Sequence, residues 1–250
     1  MTQLLHEAAK RIVAFRRFLP TAVYERMRTT YRAYRAWRDP QALAARAYVT
    51  AVAEDAPLVP ADVLYESFHG KSFNCSPAAI CLALLDDPAY THLTHIWAIN
   101  DPAVLPDTLT SRPNVKWVQR KDPAYGQALA TAGTIITNTT LEPFFMRREG
   151  QVYANTWHGV PLKRMFRFED EGLTRHANSQ RNFLQVSHLL MPNAYTANAL
   201  MGSADIAEAV AARVICTGAP RVDLTLGSER QALREKLGIP DGCQVIMVAP

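Results

Sequence analysis

Residues 61–80 read ADVLYESFHGKSFNCSPAAI, and this stretch decides the fold. Its first part, residues 62–68, is rich in apolar and aromatic side chains and predicts a strand. Ser76 and Pro77 then supply a helix N-cap followed by proline at the first helical position, which predicts a helix from Ser76 to about Leu85. A strand that leads through a glycine-containing turn into a helix begins an α/β alternation.

The same alternation continues along the rest of the chain. Further strands are expected at 92–99, 115–119, 134–137, 152–156, 189–191 and 213–217, and further helices at 124–132, 173–186, 194–201 and 228–237. This pattern predicts an α/β, Rossmann-like fold with a parallel sheet flanked by helices. A last β-prone run at 244–249 has no helix or strand after it. We therefore expect it to be the first strand of a second domain.

The N-terminal segment differs in charge from everything after it. Ten basic and three acidic residues give residues 1–50 a net charge of +7, against +4 for the whole chain. Helices are predicted at 2–18 and 21–38, each with an apolar stripe bordered by basic residues, of which we select Arg16, Arg17, Arg28, Arg32, Arg35 and Arg38 as membrane-binding residues. This asymmetry indicates an acidic partner, and amphipathic Arg-rich helices favour an anionic membrane surface.

Two other interpretations of this leader stay open. Tyr31, Tyr34 and Trp37 interleave aromatic rings with arginines, as in proteins that bind single-stranded nucleic acid, although no nucleic-acid partner is expected here. Alternatively, the leader is a solvated helical hairpin that docks on the sheet.

Composition limits the compartment and the cofactors. The four cysteines, Cys75, Cys81, Cys216 and Cys243, form no Cys-x-x-Cys pair, and no histidine cluster completes a zinc site, so no metal or cofactor is predicted. Free thiols indicate a reducing compartment. Because the sequence has neither the apolar core of a signal peptide nor a run of about 20 apolar residues, we expect a cytoplasmic protein, peripheral on the inner face of the cell membrane.

Gly70, Lys71 and Ser72 form the first candidate site, directly after a predicted strand. They are not a phosphate loop of the Walker type, because the glycine required five positions before Gly70 is replaced by Tyr65. A turn at the carboxyl end of a strand nevertheless faces the ligand crevice of an open α/β sheet. Lys71 and Ser72 are thus candidates for binding a phosphate or hydroxyl, with a solvated lysine on a structural turn as the alternative.

The second candidate is Trp157-His158-Gly159, which again follows a predicted strand. A histidine at this place can take a proton from an attacking hydroxyl, and Lys163 a few residues later can neutralise phosphate charge. The alternative is a packed structural histidine.

Two further candidates lie nearer the C-terminus. Asn193 either caps the helix after it or marks an anion site at that helix N-terminus. Arg221 either forms an ion pair with Asp223 or faces a phosphate.

Taken in order, these segments resemble those of the CDP-glycerol glycerophosphotransferases, which build teichoic-acid-type or capsular polymers. Residues 65–72 resemble the family segment YESF-x-GKS, and residues 156–163 resemble TWHGTPLK. Residues 192–196 resemble SPN-x-Y-S/T, residues 218–223 resemble GYPRND, and residues 248–250 resemble the beginning of APTWR.

The resemblance implies two facing Rossmann-like domains, the arrangement called GT-B. Residues 1–60 would then be the basic leader, 61–240 the acceptor-side domain, and 241–250 the first strand of a truncated donor domain. The implied reaction transfers glycerol phosphate, or a related polyol phosphate, from CDP-glycerol to a lipid-linked polyol-phosphate acceptor, with His158 as general base. Gly70, Lys71, Ser72, Trp157, Gly159, Lys163, Asn193, Arg221 and Asp223 would bind substrate.

CDP-glycerol would bind chiefly to the absent donor domain, so this fragment alone is expected to be inactive. The alternative function is a binding module that holds the acceptor polymer without catalysing transfer. The chain also departs from the family pattern: Val160 and Val222 replace threonine and asparagine, residues 165–167 replace a Leu-Gly stretch, and Cys75 stands where aspartate is common. The polymer and polyol therefore stay open.

Overall fold

The protein folds around one all-parallel sheet of seven strands in the order β3-β2-β1-β4-β5-β6-β7. The computed structural model describes residues 20–169, 176–227 and 230–248. The strands are β1 (Val59–Glu66), β2 (Thr94–Ile99), β3 (Val115–Gln119), β4 (Ala132–Thr137), β5 (Val152–Asn155), β6 (His188–Met191) and β7 (Arg213–Cys216). The predicted α/β, Rossmann-like class is confirmed.

Helices lie in the connections between these strands, except that residues 138–151 join β4 to β5 without a helix. The described α-helices are α1 (Thr21–Arg38), α2 (Pro40–Ala53), α3 (Cys75–Asp86), α4 (Asp107–Thr110), α5 (Pro123–Thr131), α6 (Ala177–Gln185), α7 (Ala194–Ser203), α8 (Pro220–Leu226) and α9 (Arg230–Lys236). Crossovers of this kind are required because parallel neighbours cannot be joined by a tight hairpin.

Strand β1 is an interior strand, between β2 and β4, and it separates two apolar cores. Leu64 belongs to one core, together with Tyr125 and Tyr153, whereas Tyr65 belongs to the other, together with Trp97. Neighbouring side chains point to opposite faces of a strand, so β1 is buried on both faces, as expected for a parallel sheet.

Helix α2 was not predicted, and it packs in the larger core. Ala44, Tyr48 and Ala51 are buried there against α5. The helix escapes pattern analysis because its sequence, PQALAARAYVTAVA, is apolar or small almost all round and shows no single stripe. The buried residues of α2 are thus packed with the α/β core, although they fall inside the leader assigned to residues 1–60.

The rest of the leader agrees with the prediction where it is described. Helix α1 spans the predicted residues 21–38 and ends where Asp39, in extended backbone, precedes Pro40. The helix predicted at 2–18 lies outside the described residues. The division of the chain into leader, acceptor domain and donor-domain strand stays a prediction.

The residues described from the run at 244–249 form no strand in this structure, and their place in a second domain stays a prediction. Residues 243–248 have no regular secondary structure, and Val245, Ile246, Met247 and Val248 are exposed. A β-prone sequence becomes a strand only when a neighbouring strand pairs with its backbone, and these residues pair with none in the described part of the chain.

Candidate functional site

The candidate site lies where the strand order reverses, between β1 and β4. Strands β1, β2 and β3 run outward on one side of this point, and β4 to β7 run outward on the other. Ligands of open α/β sheets bind in the crevice outside the carboxyl ends of the strands at this switch point. The segments that follow β1, β4 and β5 meet here: residues 67–72, 138–139 and 156–159.

The turn after β1 has an unusual backbone. Phe68, His69 and Gly70 have φ of 46°, 57° and 71°, so three successive residues are left-handed. A Cβ at position 70 would also lie 3.1 Å from Arg120 Cδ and 3.2 Å from the Ala98 carbonyl oxygen. Gly70 is therefore needed for the shape of the turn, since both its φ and its surroundings disfavour a side chain.

The other two residues of this candidate face outward. Lys71 is exposed, and Ser72 Oγ donates a hydrogen bond to Asn74 Oδ1 at 3.1 Å. Lys71 is nevertheless close enough to His69 to help lower the pKa of that imidazole, after the larger effects of burial and Arg120. The lysine thus places a positive charge at the rim of the crevice.

His158 is held in one tautomer by the loop after β4. Its Nδ1 lies 2.8 Å from the carbonyl oxygen of Asn138. A carbonyl can only accept a hydrogen bond, so we assign the proton to Nδ1, and Nε2 keeps its lone pair. The ring is fixed further by Trp157, at a centroid distance of 4.1 Å, and by the edge of Phe68 at 5.7 Å.

Asn138 connects two of the turns, and sequence analysis missed it. Its side-chain Oδ1 accepts a hydrogen bond from the Phe68 N–H at 2.9 Å, and its backbone carbonyl oxygen accepts one from His158 Nδ1. The available signal was its position, directly after the strand predicted at 134–137. One polar residue therefore sets the turns after β1 and β5 relative to each other.

Arg221 supports His158 from the C-terminal part of the chain. Its Nη1 donates to the carbonyl oxygen of His158 at 2.7 Å and lies 3.4 Å from Cys75 Sγ. The alternative ion pair with Asp223 does not form, because the guanidinium is directed to His158 while Asp223 is exposed in the first turn of α8. Beside Arg221, a cavity of about 360 Å³ lies between α3 and α8, lined in part by Phe73, Cys75 and Val222.

A buried charge cluster lies beneath the turn after β1. Arg120 donates from Nε to Glu66 at 3.2 Å and forms a second ion pair with Glu142 at 2.9 Å, while Tyr125 donates its hydroxyl to Glu66 at 2.6 Å. Burial raises the pKa of Glu66, and Arg120 and Tyr125 oppose that rise by stabilising the carboxylate. Sequence analysis did not select these residues, because tertiary structure alone brings them together.

The remaining candidates are less closely tied to the crevice. Gly159 has open space where a Cβ would lie, and Lys163 is exposed on the loop after β5. Asn193 caps α7: its Oδ1 accepts from the Thr196 N–H at 2.8 Å and from Thr196 Oγ1 at 2.9 Å. The capping alternative therefore describes the Asn193 side chain in this structure.

The leader arginines lie on α1 or outside the described residues. On α1, Arg28 forms an exposed ion pair with Glu25 at 3.1 Å, and Arg32, Arg35 and Arg38 belong to the same helix. Arg16 and Arg17 lie outside the described residues. Within residues 20–169, 176–227 and 230–248, no group of three or more His, Cys, Asp or Glu side chains is arranged to hold a metal ion. No helix in this part of the chain is both long and apolar enough to cross a membrane.

Comparison with known proteins identifies the family. Residues 48–250 match the family model described as CDP-Glycerol:Poly(glycerophosphate) glycerophosphotransferase. Because this match covers most of the chain, the protein belongs to that family.

Curated relatives agree with this assignment. The chain is 28% identical over 200 residues to a teichoic acid poly(glycerol phosphate) polymerase of Bacillus spizizenii, covering 75% of this chain and 49% of that protein. It is 25% identical over 207 residues to a teichoic acid glycerol-phosphate transferase of Staphylococcus aureus, with 75% and 49% covered. It therefore spans about half the length of these two relatives.

The structural likeness concerns the fold alone. A histidine-to-asparagine variant of the wall teichoic acid polymerase TagF superimposes with a TM-score of 0.69 at 22% identity, covering 87% of this chain and 53% of that one. A histidine-to-alanine variant of the same polymerase gives 0.67 at 23% identity, with 87% and 54% covered.

Proposed function

We propose that this chain is the acceptor-side half of a glycerophosphotransferase that transfers glycerol phosphate, or a related polyol phosphate, to a teichoic-acid-type polymer. The observation that carries the proposal is His158, which lies at the carboxyl end of β5 with its Nδ1 proton engaged by Asn138 and its Nε2 lone pair available. Membership of the glycerophosphotransferase family supports the reaction class.

In the proposed reaction, Nε2 of His158 removes the proton of a terminal hydroxyl of the acceptor. The hydroxyl oxygen then forms a bond to the glycerol-bearing phosphorus of CDP-glycerol, the bond to CMP breaks, and CMP leaves with the electron pair. Catalysis of phosphoryl transfer rests on positioning and on neutralising charge. Arg221 and Lys71 are the cations of this half that are suited to that task, and Trp157 and Gly159 shape the turn that carries His158.

The donor and the acceptor of this reaction are proposed from relatives. A TagF variant has been solved after a soak with CDPG, which supports CDP-glycerol as donor. We propose that a second domain binds most of this donor. The name of the Bacillus spizizenii relative, a teichoic acid poly(glycerol phosphate) polymerase, supports a poly(glycerol phosphate) acceptor. The same proposal includes a lipid-linked acceptor. It also includes substrate binding by the remaining candidate residues, which are Gly70, Ser72, Lys163, Asn193 and Asp223.

The test is replacement of His158 by asparagine in a protein that also contains the donor half. The asparagine amide can still donate to the Asn138 carbonyl oxygen, but it has no lone pair at the position of Nε2. We expect kcat for CMP release from CDP-glycerol to fall by at least about a hundredfold, the usual contribution of a general base. The exposed His92, changed to asparagine, is the matched control and should keep full activity.

The same experiment separates the proposed enzyme from a binding module. If His158→Asn keeps more than a third of the wild-type kcat, His158 is not the base. If the unaltered protein binds acceptor but releases no CMP, the binding module becomes the better description.

We further propose that α1 holds the protein on an anionic membrane surface on the cytoplasmic side. Val23, Met27 and Tyr34 are exposed on one stripe of this helix. Arginines flank that stripe, and each is worth on the order of 1 kcal/mol near an anionic leaflet. Changing Arg26, Arg28 and Arg32 together to glutamine should therefore weaken binding to phosphatidylglycerol vesicles by about a hundredfold, measured by flotation.

The control for this membrane test changes Lys116, Lys121 and Lys236 to glutamine, which removes the same charge away from the leader. Flotation should survive this change. Equal loss in both variants, or a DNA complex that is stronger than vesicle binding, would contradict a membrane-bound leader.

A further inference from the structure

His69 is a crevice residue that the proposed mechanism does not use. It occupies the unspecified position of the YESF-x-GKS segment, between Phe68 and Gly70. Its backbone is left-handed, with φ of 57°, and its carbonyl oxygen accepts a hydrogen bond from Asn100 Nδ2 at 2.8 Å. A non-glycine residue held in this region indicates that the surrounding structure fixes its position.

Arg120 determines the tautomer of His69. Arg120 Nη2 lies 3.4 Å from His69 Nδ1, and a guanidinium has only hydrogen-bond donors. Glu66 Oε1 is 3.9 Å from the same nitrogen, which is too far for a hydrogen bond. We therefore assign Nδ1 as the acceptor, which places the proton of the neutral ring on Nε2.

The neutral form of His69 follows from its surroundings. Burial lowers the pKa of the imidazole most, Arg120 lowers it next, and Lys71 and His158 add smaller effects in the same direction, while Glu142 opposes them. The carboxylate of Glu66, 3.9 Å from Nδ1, is the other charged group near this ring. At neutral pH the side chain is thus an uncharged donor, with about two-fifths of its surface exposed.

The two crevice histidines have opposite hydrogen-bonding character. His158 offers an acceptor at Nε2, and His69 offers a donor at Nε2. They lie on adjacent turns, because the Phe68 ring that precedes His69 packs edge-on against His158 at 5.7 Å. A ligand with two neighbouring hydroxyls matches such a pair, since one hydroxyl can donate its proton while the other accepts.

We propose that His69 is a specificity residue that donates its Nε2–H to the second hydroxyl of a vicinal diol, next to the hydroxyl deprotonated by His158. The assignment rests on the proposed function and names the end of the acceptor, a polyol rather than a simple alcohol. Arg120 is the positioning residue, because its guanidinium keeps the proton on Nε2. A phosphate is the poorer ligand for His69, since an anion pairs better with the cations Lys71 and Arg221 at the same edge.

The first test reads the tautomers directly in the 250-residue chain with ¹⁵N-labelled imidazoles. Long-range proton–nitrogen correlation spectra at neutral pH should show His69 protonated at Nε2 and His158 protonated at Nδ1. In Arg120→Gln, the His69 tautomer should become mixed while that of His158 is unchanged. A His69 ring protonated at Nδ1, or at both nitrogens, would overturn the proposal.

The second test measures binding of glycerol 3-phosphate and of 2-hydroxyethyl phosphate, which lacks the second hydroxyl. His69→Asn suits a left-handed backbone and keeps a polar group near Nδ1, but removes Nε2. His69→Gln places an amide near Nε2. We expect His69→Asn to weaken glycerol 3-phosphate binding about tenfold, and His69→Gln to stay within about threefold of wild type. Neither variant should alter binding of 2-hydroxyethyl phosphate.

Each other outcome has a defined meaning. If His69→Asn weakens both ligands equally, His69 contacts the phosphate and the diol assignment fails. If neither ligand is affected, or if the wild-type chain binds no glycerol 3-phosphate, the proposal is also overturned. The proposed transferase function is decided separately by CMP release in the His158 and His92 variants.

Discussion

At the start of α3, Cys75 is poorly matched to its surroundings. Its φ is 61°, a conformation that aspartate tolerates better, and its Sγ is 3.4 Å from the guanidinium of Arg221. An aspartate there would accept from Arg221 as an ion and would also lie at a helix N-terminus. We therefore predict that Cys75→Asp raises the free energy of unfolding by about 1 kcal/mol, measured by urea denaturation.

The control for this prediction is Cys75→Ser, which keeps the size of the side chain without the charge and should give no such gain. In an Arg221→Met background, Cys75→Asp should also lose its benefit. If the gain persists without Arg221, the ion pair is not its source.

A second residue-scale prediction concerns Arg120, whose side chain is 13% exposed between the carboxylates of Glu66 and Glu142. Removing one partner of a buried ion pair leaves an uncompensated charge, so Arg120→Met should cost about 3–5 kcal/mol of stability. The matched control is Arg167→Met, which breaks the exposed pair with Asp205 and should cost less than about 1 kcal/mol.

Urea titrations of both variants check the Arg120 prediction. Adding Glu66→Gln to Arg120→Met should recover part of the loss, because the buried carboxylate is then neutral. Equal costs for Arg120→Met and Arg167→Met would show that the buried cluster does not stabilise the fold.

Between elements, the contact of α2 with α5 depends on one glycine. A Cβ at position 126 would lie 1.9 Å from the carbonyl oxygen of Ala44 and 2.9 Å from the backbone nitrogen of Tyr48. Both atoms belong to the α2 backbone and cannot rotate away. Gly126→Ala should therefore force the helices apart and lower the free energy of unfolding by about 3 kcal/mol, measured by urea denaturation.

Gly202 in α7 provides the control, because no atom of the described residues, apart from its chain neighbours and the nearby backbone of α7, lies within 4 Å of the place where its Cβ would be. Gly202→Ala should stabilise the protein by up to about 1 kcal/mol through helix propensity alone. A neutral or stabilising Gly126→Ala would mean that α2 does not pack closely on α5.

The helices and strands also differ in how well they could be predicted from the sequence. The strands β1 to β7 were found because β-branched and apolar runs end at glycine, proline or polar turns. Helix α1 was found because its apolar residues recur at helical spacing. Helix α2 was missed because it is apolar nearly all round, and residues 244–248 were assigned to a strand because β-propensity contains no information about a pairing partner.

Some features of the candidate site could likewise be predicted from the sequence, and others could not. His158 was predicted from its place after a strand, since strand ends face the crevice whatever the details of packing. The tautomers of His158 and His69 were not predictable, because they depend on Asn138 and Arg120, which lie 20 and 51 positions away from them in the sequence. Contacts over such separations are set by the sheet order and the packing of the crossovers.

At the scale of the whole molecule, the packing of α2 defines where the stable core begins. Val23 and Met27 of α1 are 45% and 42% exposed, whereas Ala44 and Tyr48 of α2 are 1% and 3% exposed. Removing residues 1–38 should therefore change the free energy of unfolding by less than about 1 kcal/mol, within the range of surface changes. Removing residues 1–57 deletes the buried face of α2.

The longer truncation should lower the free energy of unfolding by about 3–5 kcal/mol or more. Loss of one large buried aromatic side chain typically has that effect, and here Tyr48 and its alanine neighbours all leave the core. Such a loss is a large part of the stability of an ordinary domain, so we expect partial unfolding at 37 °C. Urea denaturation followed by circular dichroism compares the two truncations directly. Equal stability of both would place the start of the core after α2, and unfolding of the shorter truncation would make α1 part of it.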